Sequence, residues 1–111
     1  MAAEKIYSFV GLAKKAGKVS SGEDTCERLI KTQKACLTVV AQDASPNTVK
    51  KFTDKCSTRD VPLKIFGKKE LLGRFTGKEI RAVLVITDKG FAKRIIEMIE
   101  EYNISGGDIN G

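Results

Sequence analysis

A chain of 111 residues is close to the commonest domain size, and 41% hydrophobic with 31% charged residues is typical of a globular domain. No apolar run approaches the ~20 residues that span a bilayer, and the first residues lack the pattern of a signal peptide, so we expect a cytoplasmic protein without a membrane partner. The net charge is +6, and all 20 basic residues lie within the first 96 positions. A basic body of this kind suits a polyanionic partner.

The residue types that are scarce exclude several kinds of site. The chain has no histidine, which excludes a Ser-His or Cys-His nucleophile pair and a His-ligated metal. Its three cysteines, Cys26, Cys36 and Cys56, are too scattered for a disulfide framework or a metal knuckle, so we interpret them as small buried side chains. We therefore expect no catalytic residue, no metal and no cofactor.

The first part of the chain predicts two helices and two strands. A helix ending at a Gly17 C-cap is indicated by apolar residues at helical spacing: Ile6, Phe9, Val10, Ala13 and Ala16. Residues 19–22 predict a short strand or turn. A second helix starts at Gly22 with an acidic first turn, and it turns three side chains to the core: Cys26, Leu29 and Ile30. The run 36–41 is too apolar for an edge, so it predicts a central strand.

The second part continues the alternation of helices and strands. Ser45 and Pro46 are an N-cap and first helical residue, and they open a helix with an apolar stripe: Val49, Phe52 and Cys56. A strand is predicted at 62–66, a short helix at 68–74 and a second buried strand at 82–87. The last helix opens at Asp88, with these residues on its buried face: Phe91, Ile95, Ile96 and Ile99.

Helices that alternate with short buried strands predict an α/β domain with helices on both faces of one sheet. We expect residues 1–102 to form this single domain. Residues 103–111 have little to bury, and we expect them to form a flexible tail.

Several short motifs make the sequence more specific than its composition. They are residues 17–22 (GKVSSG), 39–46 (VVAQDASP), 72–73 (LG), 77–79 (GKE) and 87–90 (TDKG). In this order they resemble the L7Ae/L30e superfamily of ribosomal proteins, which includes small bacterial members. The resemblance covers most of the chain.

The resemblance implies a three-layer α/β/α sandwich around a four-stranded mixed sheet. Members of the superfamily bind kinked RNA, typically a kink-turn with tandem sheared G·A pairs. They use the start of the second helix and the loop before the last strand. The implied partner is thus a structured RNA, with ribosomal RNA as the first expectation. Ribosomal proteins or transcription and translation proteins are further candidate partners.

The chemistry of this binding mode is visible in the first segment. A helix that begins at Gly22 presents unpaired backbone N–H groups, and the missing Cβ allows RNA to approach the backbone closely. Lys18 and Arg28 add cations that can contact phosphate, and Arg28 can also bind a guanine edge. With the positions that the resemblance supplies, the candidate RNA-binding residues are Gly17, Lys18, Gly22, Glu23, Asp24, Thr25, Arg28, Gly77, Lys78, Glu79, Ile80, Arg81 and Ala82.

The chain departs from the superfamily pattern at two places. Asp24-Thr25 stands where kink-turn readers typically have Asn-Glu, and Ser20 and Ser21 stand where they carry lysines. Asp24 can accept hydrogen bonds from a guanine edge but repels phosphate, and Glu27 adds a further negative charge.

Two other functions stay open at this point. These departures and the acidic end of the chain are also compatible with an adaptor that docks on ribosomal or transcription proteins and has weak, non-specific RNA affinity. An enzyme or small-ligand binder is disfavoured, because Gly22 is followed by Glu23 and Asp24 rather than by the Lys-Ser of a nucleotide-binding loop.

Overall fold

The computed structural model of the protein describes residues 3–106. Within that range five helices and four strands alternate along the chain. Their bounds are α1 Ala3–Lys15, β1 Val19–Ser21, α2 Glu23–Lys31, β2 Leu37–Val40, α3 Pro46–Arg59, β3 Leu63–Ile65, α4 Lys69–Phe75, β4 Val83–Ile86 and α5 Lys89–Ile104. The predicted order of elements is confirmed.

The four strands form one mixed sheet in the order β1-β4-β2-β3. Strand β4 runs antiparallel to both of its neighbours, β1 and β2, whereas β2 and β3 are parallel. All four residues of β2 are buried between β4 and β3, which confirms the prediction of a central strand. Because Val40 pairs with Val83, the end of β2 and the start of β4 lie side by side.

Helices cover both faces of the sheet, as expected for a three-layer α/β/α sandwich. Alternate residues of β4 belong to the two separate cores, since successive side chains of a strand point to opposite faces. Leu84 and Ile86 pack in the core with α1, α4 and α5, and Val83 and Val85 pack in the core with α2 and α3. The predicted fold class is confirmed.

The buried faces of two helices differ from the predicted ones. On α5, Phe91 and Ile96 are only partly buried, and the buried positions are Ala92, Ile95, Met98, Ile99 and Tyr102. On α1, Ala16 lies beyond the last helical residue and is exposed, whereas Tyr7 is buried. Helical spacing therefore predicted the buried side of each helix but not every residue on it.

The predicted capping residues and two of the three cysteines occupy the expected environments, whereas the prediction of a buried Cys36 is wrong. Ser45 Oγ accepts a hydrogen bond from Thr48 N at 3.2 Å, and Asp88 Oδ2 accepts one from Phe91 N at 2.8 Å. Two cysteines, Cys26 and Cys56, are buried, and the third is partly exposed. Helix α5 continues two residues past the predicted end of the domain, and residues 107–111 of the predicted tail lie outside the described part of the chain.

Candidate nucleic-acid interface

The start of α2 is open to the outside of the molecule. Gly22 is its N-cap, with φ 94° and ψ 142°, a backbone conformation that residues with a Cβ rarely adopt. A Cβ built on Gly22 would meet no atom within 4 Å, so the space in front of it is free. No side chain caps the helix. The first-turn N–H groups of α2 therefore face this space and can bind an anionic or carbonyl oxygen.

The second predicted segment is the loop between α4 and β4, and it is held against the backbone of α4. A Cβ on Gly73 would lie 2.5 Å from the carbonyl oxygen of Glu79 and 2.8 Å from Ile80 N, which leaves no room for any other residue. Arg81 N donates to the Lys69 carbonyl at 2.9 Å. The position of the loop is thus set by a close backbone contact.

A hydrogen bond joins the two segments, which are 60 residues apart in the sequence. Arg81 Nε donates to Ser21 Oγ at 3.0 Å, and Arg81 Nη1 donates to the Ile80 carbonyl at 2.8 Å. These bonds use two of the five N–H groups of the guanidinium and fix its direction, so the others are held in place for a ligand.

Between the two segments lies a concave surface of about 390 Å³, here called the recess. The starts of α2 and α3 and the loop before β4 all contribute to it, through Gly22, Glu23, Ser45, Thr48, Ile80 and Arg81. The side chain of Ile80 is 56% exposed, and Ala82 lines the same surface. An exposed apolar side chain beside donors of fixed direction is a suitable contact for an unstacked base.

Ser45 and Thr48 were not predicted as site residues. The Ser45-Pro46 pair predicts a helix cap, but the position of Ser45 beside Gly22 follows from the pairing of β2 with β4. Thr48 Oγ1 donates to Glu23 Oε2 at 3.3 Å and so connects the two helix starts. A sequence alone does not reveal this proximity, because strand order is a long-range property.

Two carboxylates near the start of α2 share one lysine of α3. Lys51 Nζ lies 3.5 Å from Glu23 Oε1 and also contacts Glu27 Oε1. The hydrogen bond to Glu27 is the main reason that the pKa of Lys51 is raised. The negative charge of Glu27 is therefore balanced within the protein. Asp24 is exposed, and it has no ion pair within residues 3–106.

Gly17 and Lys18 lie at the other end of β1 from Gly22. Thr87 N donates to the Lys18 carbonyl, which places Lys18 where β4 ends, whereas Gly22 is next to the start of β4. Lys18 and Gly22 are four positions apart in extended chain, a distance of about 13 Å at ~3.3 Å per residue. The structure does not bring these predicted residues into the recess.

The other predicted residues do not line the recess. Lys78 and Glu79 are exposed on the loop that begins at Gly77, and Thr25 is partly buried in the first turn of α2. Asp24 and Arg28 line a different depression, between α2 and α3. Of the predicted set, five residues line the recess, Asp24 and Arg28 line the depression between α2 and α3, and Gly17 and Lys18 lie at the distant end of β1. The remaining four, Thr25, Gly77, Lys78 and Glu79, line neither depression.

The described part of the chain contains neither a cluster of metal-binding side chains nor a helix that could span a membrane. Among residues 3–106 there is no group of three or more His, Cys, Asp or Glu side chains that could hold a metal ion. None of the helices in the same range combines the length and apolar character needed to cross a membrane.

Comparisons with known proteins agree with the fold. The chain is 44% identical over 94 residues to "RNA-binding protein YlxQ" of Bacillus subtilis (strain 168), covering 85% of this chain and 94% of the relative. It is 42% identical over 98 residues to the protein of the same name from Enterococcus faecium, covering 87% and 93%.

Two solved structures share the fold. A protein of unknown function from Bacillus halodurans superposes with a TM-score of 0.83 at 32% identity, covering 86% of this chain and 97% of that one. The Giardia lamblia 15.5kD RNA binding protein superposes with a TM-score of 0.74 at 23% identity, covering 86% and 84%. The ribosomal protein L7Ae/L30e/S12e/Gadd45 family matches residues 4–96, and the chain belongs to this family.

Proposed function

We propose that this protein binds structured RNA, without catalysing a reaction, through the recess. The observation that carries the proposal is the hydrogen bond from Arg81 to Ser21, which joins the uncapped start of α2 to the loop before β4. These are the two segments in which the sequence predicted RNA contacts. The name of the Bacillus subtilis relative, an RNA-binding protein, supports the same partner.

Each part of the recess has a role in this proposal. The backbone N–H groups that follow Gly22 bind a phosphate or a base edge, because the helix start carries partial positive charge and no side chain blocks it. The remaining N–H groups of Arg81 contact phosphate. Ile80, more than half exposed, packs on a base that the kink has removed from its stack.

A kinked RNA fits this surface better than a regular duplex. The groove of an A-form helix that exposes base edges is shallow, whereas the recess is a small concave surface that suits an extruded base and a sharply bent backbone. Ser21, at a position where kink-turn readers carry lysine, here orients Arg81. We propose that this arrangement supplies the missing cation from the other segment. Ribosomal RNA is the first candidate target, and we therefore propose that the protein is located in the cytoplasm.

Titration with two RNAs of equal length tests the proposal. One RNA contains a kink-turn, and the other has the same stems joined by a regular duplex. We expect at least about tenfold tighter binding of the kinked RNA, equivalent to ~1.4 kcal/mol. Log K should fall by ~0.7–0.9 per phosphate contact for each tenfold increase in salt. Equal, weak binding of both RNAs contradicts specific recognition.

The adaptor function loses part of its support in the structure. The acidic last helix was one reason to consider an adaptor, but three carboxylates of α5 form ion pairs within the protein. Lys64 Nζ lies 3.0 Å from Glu100 Oε2, and Arg94 Nη1 lies 3.4 Å from Glu97 Oε1 and 3.8 Å from Glu101 Oε1. An association with ribosomal proteins that survives nuclease treatment would nevertheless favour an adaptor.

A further inference from the structure

A second depression lies on the outer layer of the sandwich, between α2 and α3. It has a volume of about 630 Å³ and is here called the α2–α3 groove. Four cations line it, two from each helix, namely Arg28, Lys31, Lys55 and Arg59. On each helix the two cations are three or four residues apart, so they lie on the same face, about one turn or 5.4 Å from each other.

The charges of the groove are not balanced within the protein. Among residues 3–106 none of the four cations forms an ion pair. Two of the three carboxylates that line the groove already have a lysine partner outside it. Asp54 Oδ2 lies 2.9 Å from Lys50 Nζ, and Glu27 contacts Lys51. Four unpaired cations thus face a single unpaired carboxylate, Asp24.

This excess of like charge is characteristic of a surface that binds a polyanion. Cations that face one another across a groove repel, which weakly destabilises the free protein, and a bound chain of phosphates relieves the repulsion. Three of the four cations, Arg28, Lys31 and Arg59, are also in the last turns of their helices, where a cation stabilises the macrodipole. Lys55 lies one turn before the end of α3, and the dipole does not account for the absence of carboxylate partners for all four within residues 3–106.

The groove and the recess lie along the same pair of helices, and Lys51, paired with Glu23 and Glu27, lies between them. The recess is formed in part by the starts of α2 and α3, and the groove runs between the same two helices. From Gly22 to Lys31 the helix rises by about 13.5 Å, at 1.5 Å per residue. A strand that leaves the recess along α2 therefore meets Arg28 first and then the cations at the far ends of both helices.

We infer that the α2–α3 groove is a second RNA-contact surface, which binds the backbone phosphates of the strand that leaves the recess. The inference rests on the proposed function of the recess. Its cations contact phosphates and not base edges, so this surface adds affinity without reading sequence. It extends the bound RNA to an outer helical face that the sequence motifs do not include.

A matched pair of double variants tests the groove. Lys55→Gln/Arg59→Gln removes two cations from the α3 side, and Lys89→Gln/Lys93→Gln removes two exposed cations at the same spacing from α5, in the opposite layer. Each variant is titrated with a kinked RNA that has minimal flanks and with one whose flanking stem is extended by several base pairs. Thermal unfolding of both variants monitors any loss of the helix-dipole contribution.

The inference predicts a loss that depends on RNA length. With the extended RNA, the groove variant should bind about tenfold more weakly at 0.1 M salt, and its salt slope should fall by ~1.4–1.8, the value for two phosphate contacts. With the minimal RNA it should bind like the wild type. The α5 variant should bind both RNAs within about twofold of the wild type, since a remote surface charge is screened over a Debye length of ~10 Å.

Two results overturn the inference. One is a groove variant that binds the extended RNA like the wild type, and the other is an equal loss in both double variants, which shows diffuse attraction. Either result leaves the recess unaffected as long as the wild type still prefers the kinked RNA. A wild-type protein with no such preference contradicts the proposed function and removes the basis of the groove as well.

Discussion

The two ends of strand β1 look alike in the sequence but differ in their chemistry. Gly17 and Gly22 both have positive φ, 76° and 94°, and a Cβ on either would meet open space. Gly17, however, ends α1, where its N–H and that of Lys18 donate to carbonyls of the last helical turn. Gly22 begins α2. A phosphate would meet partial negative charge at the first glycine and partial positive charge at the second.

A short sequence motif can therefore span two unrelated surfaces. The segment 17–22 reads as one RNA-binding motif, but β1 carries its two halves to opposite ends of the sheet. Lys14 and Lys15, in the last turn of α1, complement the negative end of that helix. Cations near Gly17 thus have a role in the fold, whereas those near Gly22 face the recess and the α2–α3 groove.

The largest expected effect comes from adding one methyl group at each end of β1. Gly22→Ala and Gly17→Ala should both destabilise the protein, by about 1–3 kcal/mol, because both glycines have positive φ. Only Gly22→Ala should also weaken binding of the kinked RNA, by about tenfold or more, since its Cβ enters the space in front of the helix start. Denaturant unfolding and RNA titration measure the two effects separately. Equal losses of affinity in the two variants would remove the distinction between the ends.

The next effect comes from the loop between α4 and β4, which lines the recess at the Gly22 end of β1. Gly73→Ala places a Cβ 2.5 Å from the Glu79 carbonyl oxygen, so the loop must move away from α4. We expect a stability loss of about 1–3 kcal/mol, as for other overpacked sites, together with a several-fold loss of affinity. Gly90→Ala, in the first turn of α5, is the control, because its Cβ would be 3.2 Å from the Asp88 carboxylate and far from the recess. Full affinity in Gly73→Ala would show that the loop does not contribute.

A smaller effect on the salt dependence of RNA binding distinguishes a cation near the Gly22 end of β1 from one at the Gly17 end. Arg28→Gln should reduce the salt slope of RNA binding by ~0.7–0.9, the value for one phosphate contact. Lys18→Gln should change it much less, since Lys18 lies at the far end of β1. Titrations at four or more salt concentrations give both slopes. A larger change for Lys18 than for Arg28 would place the RNA on the other side of the molecule.

The smallest effect appears only at alkaline pH. Burial raises the pKa of the Cys26 thiol from its usual 9.0 to about 12, and burial also raises the pKa of Cys56. The folded state therefore favours the neutral thiols. Their contribution is fully present below pH 9 and is lost as the pH rises from about 9 towards 12. Because Cys26 N donates to the Gly22 carbonyl, unfolding at high pH should open the Gly22 end.

A cysteine comparison checks this pH dependence. Cys26→Ala should flatten the loss of stability above pH 9 relative to the wild type, whereas Cys36→Ala, at a partly exposed position, should leave the curve unchanged. Denaturant unfolding at a series of pH values from 7 to 11 gives both curves. Identical curves for wild type and Cys26→Ala would show that other groups cause the alkaline loss.

Local patterns in the sequence account for most of the fold. The helix caps Ser45 and Asp88 and the buried runs of β2 and β4 depend on neighbouring residues, so periodicity and capping chemistry predicted them correctly. The buried position of Tyr7 was missed. Its hydroxyl accepts a hydrogen bond from Lys68 N at 2.8 Å, a tertiary contact that no local pattern contains.

The site was less predictable than the fold, because it depends on which ends of helices and strands lie next to each other in the folded protein. The order β1-β4-β2-β3 places Ser45 beside Gly22, whereas Lys18 lies at the opposite end of β1. The charge of Glu27 was interpreted as a repulsive feature, although Lys51 from the next helix balances it. Strand order and interhelical ion pairs are long-range properties, and motif spacing does not determine them.

The proposed interface places RNA at the Gly22 end of β1 and not at the Gly17 end. Titration of the labelled protein with a kinked RNA, followed through its backbone amide NMR signals, distinguishes the two ends. We expect large shifts at residues 22–25 and 80–82, with smaller ones along the α2–α3 groove and little change at residues 17–18. Shifts that are largest at residues 17–18, or spread evenly over all basic surfaces, would contradict the proposed interface.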